Sequence, residues 1–183
     1  MGNKKFIFIL LFIFIFTIGC SKNDNSEEEK SVDYINEHLN ASRYTNFTLQ
    51  KTIKSDDIIL LEKNITSTLT NSVYTIVTIE KKLDITNSDG LYSITTSETK
   101  KMSIENPISL NLQEEYFDEV SITSKKLIGI INEEYSEDAL GITNVTDITL
   151  NIILNDSLKV QSITVSYIDN SGYNILINVM YNY

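Results

Sequence analysis

The chain has 183 residues, hydrophobic side chains at 42% of its positions and a formal net charge of −10, which is enough apolar material for one domain with a packed core. The acidic balance argues against binding to a phosphate backbone, which needs clustered lysine and arginine, so we expect no nucleic-acid partner. With one cysteine and one histidine, the chain has neither a disulfide framework nor a metal site built from several histidines.

The first predicted element is a cleavable signal peptide over residues 1–19. Lys4 and Lys5 give it a positive start, and the run from Phe6 to Phe16 contains no polar residue. A transmembrane helix needs about 20 apolar residues, so this shorter run is typical of the hydrophobic region of a signal peptide. Removing residues 1–19 deletes two lysines and no acid, which takes the net charge from −10 to −12.

The end of this segment, Thr17-Ile18-Gly19-Cys20, resembles the lipobox of bacterial lipoproteins. The resemblance implies that Cys20 takes a diacylglyceryl thioether, becomes the new N-terminus and anchors the protein to the membrane through acyl chains, which contribute ~0.8 kcal/mol per buried CH₂. It also implies an extracytoplasmic, lipid-anchored location in the bacterial cell envelope, on the outer face of the plasma membrane or in the outer membrane. The alternative is an ordinary secretory signal or an uncleaved anchor in which Cys20 is incidental.

Beyond the signal, residues 20–30 are polar and charged without apolar periodicity, which predicts a lipidated acidic tether. Residues 31–183 predict a single β-rich domain. It begins with an amphipathic helix over about residues 32–42, for which Ser31 is a typical N-cap. The apolar residues of this segment have helical spacing: Val32, Ile35 and Leu39.

From Asn46 onward, alternating apolar and polar positions and a high content of Thr, Ile and Val predict strands. Residues 73–86 and 91–103 are Thr-rich segments on either side of the turn cluster 87–90, which predicts a β-hairpin.

The middle of the chain is less regular. The pair Asn106-Pro107 breaks the strand pattern. Asn111 followed by Glu114 is typical of a helix start, and it predicts a short helix with Leu112, Tyr116 and Val120 along one side. The apolar run 127–131 predicts a strand. Residues 133–140 predict a second short helix that ends at Gly141.

The C-terminal third predicts a three-stranded antiparallel meander with one apolar face. Apolar residues occupy every second position in three segments, separated by turns at residues 155–157 and 169–172. The alternation slips between Val160 and Ile163, which predicts a β-bulge near Gln161-Ser162 and a local bend of the sheet.

Few residues are candidates for chemistry. His38 is the only histidine and lies beside the apolar stripe of the first helix, which favours a partly buried structural role. The adjacent carboxylates Asp56-Asp57, Glu114-Glu115 and Glu133-Glu134 point in different directions on a strand or a helix, so we expect solvated surface charge. The acidic turns at Asp156 and Asp169 lack the alternating acids of a calcium loop. We therefore predict that the protein is not an enzyme and that it has no catalytic residue, metal site or cofactor.

The order of elements over residues 32–183 resembles that of the LolA/LolB and LppX/LprG group of bacterial lipoproteins and carriers. The segment Lys126-Leu127-Ile128-Gly129 is a local sequence similarity to this group. In that group an unclosed β half-barrel, covered by helices, holds lipid in its concave face. The predicted class is therefore α+β and mostly antiparallel β, with a curved sheet or half-barrel, an N-terminal helix and one or two short helices.

Two functions remain open. The first is a tethered binding or carrier module for a lipid or another apolar ligand, which predicts a cavity of several hundred Å³. Its candidate lining is a set of apolar residues on the minority faces of strands: Tyr74, Ile76, Ile153, Leu176 and Met180. For the strand tyrosines, ordinary core packing is the alternative. The second function is a surface protein-interaction or structural lipoprotein without a small-molecule ligand, acting through an Asn- and Thr-rich exposed face.

Overall fold

The computed structural model describes residues 30–41, 44–70, 73–83, 91–100 and 107–183, and only the backbone of residues 73, 74, 83 and 91–100. Two helices, two single 3₁₀ turns and nine strands are found in this part of the chain. The helices are α1 (Val32–Ala41) and α2 (Ser136–Leu140), and the 3₁₀ turns are Glu114–Tyr116 and Glu133–Tyr135. The strands are β1 (Asn46–Ser55), β2 (Ile58–Thr70), β3 (Val73–Leu83), β4 (Leu91–Lys100), β5 (Phe117–Ile122), β6 (Lys126–Ile131), β7 (Val145–Leu154), β8 (Val160–Asp169) and β9 (Asn174–Asn182).

All nine strands join one antiparallel sheet in the order β4-β3-β2-β1-β9-β8-β7-β6-β5. Its edges are β4 and β5, which do not pair with each other among the described residues, so the sheet is unclosed. The predicted class, mostly antiparallel β with an N-terminal helix and short helical interruptions, is confirmed. The predicted hairpin is confirmed in β3 and β4, whereas its turn at 87–90 lies outside the described residues.

The sheet consists of two meanders, β1–β4 and β5–β9, that meet where the first strand pairs with the last. In that ladder Phe47 lies opposite Tyr181, and Ile53 lies opposite Ile175. The backbone N–H of Thr45 extends it by donating to the Asn182 carbonyl oxygen at 2.9 Å. The contact between residues so distant in sequence makes the sheet continuous.

A β-bulge interrupts the pairing of β7 with β8. Ile153 lies opposite Ser162, but the next residue, Leu154, lies opposite Val160, which leaves Gln161 as the extra residue of β8. The bulge allows Val160 and Ile163 both to be buried although they are three positions apart. This confirms the bulge that the sequence predicts.

One face of the β5–β9 meander carries the hydrophobic core, and we call it the core face. From Ile148 onward, alternation along β7 buries one side of that strand, as the fully buried Ile148, Leu150 and Ile152 show. Buried residues of the neighbouring strands continue the layer: Leu127, Ile131, Ile163, Val165, Ile175, Val179 and Tyr181. Each large aliphatic side chain removed from water contributes about 1.5–3 kcal/mol, so this layer is the principal stabilising element.

Helix α1 lies on the core face and begins where the sequence predicts. The backbone N–H of Tyr34 is within 3.4 Å of the Ser31 hydroxyl oxygen, which is the expected N-cap contact. Ile35 is fully buried. Two hydrogen bonds fix the helix to the loops at the β5–β6 end of the sheet: the Tyr34 hydroxyl donates to the Ser124 carbonyl at 2.9 Å, and the Asn36 amide donates to the Leu112 carbonyl at 2.8 Å.

The prediction of a helix that starts at Asn111 is wrong. In its place the chain forms one 3₁₀ turn and then strand β5, and Leu112 and Tyr116 are buried. Residues four apart share one side of a helix and also one face of a strand, so their spacing does not distinguish the two structures. The second short helix is confirmed in α2, and Gly141 ends it with a left-handed φ of +68°.

In the β1–β3 part of the other meander, Phe47 and Ser67 are the only buried residues among the described side chains, and the rest of the surface is mixed apolar and charged. Cross-strand ion pairs join the strands, with Lys63 Nζ 3.6 Å from Glu80 Oε2 and Lys81 Nζ 3.8 Å from Glu62 Oε2. The hydrogen bond from Lys82 holds the pKa of the Glu80 carboxyl below its usual value. Such exposed pairs contribute about 0–1 kcal/mol each, so they fix strand register more than they add stability.

Candidate functional site

The face of the sheet opposite the core, which we call the open face, carries a groove across strands β5–β8. The ladder register places two rows of side chains on this face. The rows are Ser121–Ile128–Asn151–Thr164 and Glu119–Ile130–Thr149. Between them runs the row Val120–Gly129–Leu150, in which Leu150 turns its side chain into the core, so that this row contributes mainly backbone to the floor.

The groove has a volume of about 600 Å³ and is lined by these three rows together with Lys126. It spans four strands, roughly 14 Å for three spacings of ~4.8 Å, and residues 126–130 of β6, roughly 13 Å for four steps of ~3.3 Å. Ile128 and Ile130 are half-buried and supply the apolar surface of the lining. Such a volume falls within the range of about 300–1,000 Å³ of small-molecule sites.

The polar groups of the groove are distributed unevenly. Lys126 lies on β6 opposite Ile153, at one end of the groove, and Glu119 lies on β5 at the other end, opposite Ile130. Neither side chain has an ion pair or hydrogen bond within the described part of the chain. The two ends of the groove therefore carry opposite charges, separated by an apolar centre.

Asn151 lies on β7 directly opposite Ile128 and is the polar side chain next to the apolar part of the groove. Its Oδ1 atom is buried and has no hydrogen-bond partner among the described residues. The neighbouring Thr164 hydroxyl does not donate to this atom, because it donates to Asn178 Oδ1 at 3.2 Å. A buried acceptor without a donor is uncommon in folded proteins, since leaving it unpaired costs about 1–3 kcal/mol.

The five residues proposed from sequence as an apolar lining are not brought together. Ile153, Leu176 and Met180 lie on the open face, and the last two are 46% and 45% exposed. Ile76 pairs with Ser67, which is buried on the core side, and thus belongs to the other face. Tyr74 lies opposite Leu69 in the register, and its side chain lies outside the described part of the chain. Ile76, Ile153, Leu176 and Met180 do not line the groove.

Sequence reasoning missed the groove itself. Its outer wall is β5, which the spacing of apolar residues assigned to a helix. The sequence of β6 does indicate a second apolar face. Ile128 and Ile130 alternate with the buried residues of this strand in the uninterrupted run Leu127–Ile131. A strand with apolar residues on both faces has a second surface to cover.

The single histidine and the carboxylate pairs occupy the structural positions expected from the sequence. His38 is half-buried, and its ring packs edge-on against Tyr34 with centroids 4.7 Å apart. Asp56-Asp57, Glu114-Glu115 and Glu133-Glu134 are exposed. No group of three His, Cys, Asp or Glu side chains suited to a metal ion occurs within the part of the chain that the structure describes.

Turn chemistry accounts for the acidic turns. One Asp169 carboxylate oxygen accepts the backbone N–H groups of Ser171 and Tyr173, each at 2.9 Å. Asp156 forms an ion pair with Lys125 at 2.8 Å, and this contact lowers the pKa of the Asp156 carboxyl and raises that of the Lys125 ammonium. Both aspartates therefore have structural partners.

The predicted signal peptide, Cys20 and all but the last residue of the acidic tether lie outside the described residues. Within residues 30–41, 44–70, 73–83, 91–100 and 107–183, no helix has the length and apolar character required to cross a bilayer. Comparison of the chain with protein-family models, with curated proteins and with solved structures found no match.

Proposed function

We propose that this chain is a lipid-anchored, extracytoplasmic binding protein that holds a lipid or another apolar ligand in the open-face groove. The observation that carries the proposal is the groove of about 600 Å³, whose apolar centre consists of Ile128 and Ile130. The groove lies on the face opposite a fully packed core, so ligand binding does not require the core to open. The lipobox at Cys20 supports the membrane anchor.

Native mass spectrometry tests the binding proposal. We expect the full chain, produced in bacteria and extracted in a mild detergent, to retain a lipid. The substitution Ile128→Glu places a charge at the apolar centre and should abolish retention, because burying an unpaired carboxylate beside an acyl chain is costly. The matched control is Leu176→Glu, which makes the same change on the same face but outside the groove. A ligand-free wild-type protein that binds no lipophilic dye would contradict the proposal.

A second candidate function is a surface interaction with another protein. It is favoured by the open face beyond the groove, where Leu176 and Met180 are exposed among Asn and Ser side chains. The same two variants separate the candidates. On this alternative Leu176→Glu weakens capture of a partner protein, and Ile128→Glu leaves it intact.

The anchor is tested by Cys20→Ser. Since Cys20 is the only cysteine of the chain, this change removes every thiol that could carry a thioether-linked lipid. We expect metabolically labelled acyl chains to be lost from the protein and the protein to move from the membrane fraction to the soluble fraction. Ser21→Ala is the neighbouring control and should keep both. A Cys20→Ser protein with unchanged labelling and fractionation would show that the anchor assignment is wrong.

A further inference from the structure

The groove has a polar corner at one end. Lys126 and Asn151 lie on adjacent strands, and the ladder pairs Lys126 with Ile153 and Ile128 with Asn151. The two polar residues are therefore diagonal neighbours on the open face, at a distance of roughly 7–8 Å between positions. Ile128 and Ile130 continue from this corner along β6. A ligand that fills the groove thus meets Lys126 first, then Asn151 and Ile128 side by side, and then Ile130 with Glu119 on the neighbouring strand.

Lys126 is available to a ligand, in contrast to its neighbour Lys125. The Lys125 ammonium is bound by Asp156 at 2.8 Å, whereas the Lys126 side chain has no ion pair or hydrogen bond among the described residues. Lys126 is half-buried and lines the groove. An ammonium group in this position is complementary to an anionic oxygen, and a charge-assisted contact is stronger than a neutral one.

Asn151 adds a second requirement. Its Oδ1 atom is buried in the groove and accepts no hydrogen bond from the described residues. Thr164, which lies opposite Asn151 in the ladder, donates its hydroxyl hydrogen to Asn178 instead. The Oδ1 atom itself is closed to solvent, so a ligand hydroxyl can supply the missing donor only once the Asn151 amide turns toward the groove.

We propose that the groove selects an acyl lipid whose headgroup carries both an anionic oxygen, bound by Lys126, and a hydroxyl group, which donates to Asn151. The acyl portion packs on Ile128 and Ile130. This inference rests on the proposed function of the groove as an apolar-ligand site, and it adds the class of lipid that the groove prefers.

Three lipids with identical acyl chains test the inference by competition, with native mass spectrometry of the full chain in a nonionic detergent as the readout. Phosphatidylglycerol has the anionic oxygen and hydroxyl groups, and phosphatidylmethanol has the anionic oxygen alone. In phosphatidylcholine the same oxygen is neutralised by the quaternary ammonium of the headgroup, which should weaken its attraction to Lys126. We expect occupancy to fall in that order. The anionic charge should contribute a preference of about tenfold and the hydroxyl group about fivefold, as expected for a charge-assisted and a neutral hydrogen bond.

The variants assign each preference to one residue. Lys126→Gln should remove the preference for phosphatidylmethanol over phosphatidylcholine, Lys126→Arg should restore it, and Lys125→Gln should leave it unchanged. Asn151→Leu should remove the preference for phosphatidylglycerol over phosphatidylmethanol. Thermal unfolding of each variant checks that it remains folded.

Each other outcome contradicts a defined statement. Equal binding of all three lipids by the wild-type protein overturns the headgroup inference and leaves the proposed binding function standing. Binding of none of them also overturns the headgroup inference, and a wild-type protein that in addition retains no lipid and binds no lipophilic dye overturns the proposed function. A charge preference that survives Lys126→Gln overturns the role of Lys126. Displacement of the bound lipid by glycerol phosphate at equal concentration shows a site for free phosphate esters and overturns selection of a lipid.

Discussion

Replacing Gly129 with valine should destabilise the protein by about 3 kcal/mol, at the upper end of the usual cost of overpacking a core. Gly129 lies on β6 between the buried Leu127 and Ile131, so any side chain added there points into the core. A Cβ atom at this position would lie 2.4 Å from Cδ1 of Phe117, well inside van der Waals contact. Valine suits a strand better than glycine by up to ~1 kcal/mol, but the collision with the ring is the larger effect.

Urea denaturation of the wild type and the variant measures this cost, and a double-mutant cycle assigns it. In a Phe117→Ala background the ring is absent, so Gly129→Val should cost at least 1 kcal/mol less than in the wild type. An equal cost in both backgrounds would show that Phe117 is not the reason for glycine at position 129. The Glu119 carbonyl oxygen, 3.3 Å from the added Cβ atom, would then be the next group to test.

Ile35→Ala should cost about 2–5 kcal/mol of unfolding free energy, as for other fully buried large-to-small substitutions. Ile35 is 0% exposed and, with Val32, joins α1 to the hydrophobic core. A helix of ten residues is marginal on its own, so α1 depends on this contact and on the hydrogen bonds of Tyr34 and Asn36.

Chemical denaturation again provides the measurement, with Glu37→Ala as the control. Glu37 is exposed on the same helix, and its substitution should change the stability by no more than about 0.5 kcal/mol. A cost below 1 kcal/mol for Ile35→Ala would mean that α1 is not an integral part of the core.

The elements predicted most accurately from the sequence are those whose signal is local. Ser31 and the helical spacing of the apolar residues after it predict α1 to within one residue of its end. The alternation of apolar and polar residues predicts the meander β7–β9. The bulge at Gln161 is also a local feature, because the break in alternation is visible within four residues. In each case one periodicity explains the apolar positions better than any other.

The groove is a product of long-range pairing, and for that reason the sequence does not predict it. Alternation identified the face on which Ile153, Leu176 and Met180 lie, but it does not tell which strands become neighbours. The groove depends on β5 lying beside β6, and the spacing of Leu112 and Tyr116 favoured a helix there. Lys126 and Asn151 belong to different segments of the sequence, and only the register of β6 with β7 places them beside each other.

The pairing of β1 with β9 has a consequence for biosynthesis. Because a chain is synthesised from its N-terminus, β1–β4 are complete long before residues 174–182 are made. The edge of β1 that pairs with β9 therefore stays unpaired until the last strand has been synthesised. Exposed backbone on such an edge is a template for association with other chains. A chain truncated before β9 would thus form two separate sheets, β1–β4 and β5–β8, in place of one continuous sheet. Each of the two would have an additional unpaired edge strand.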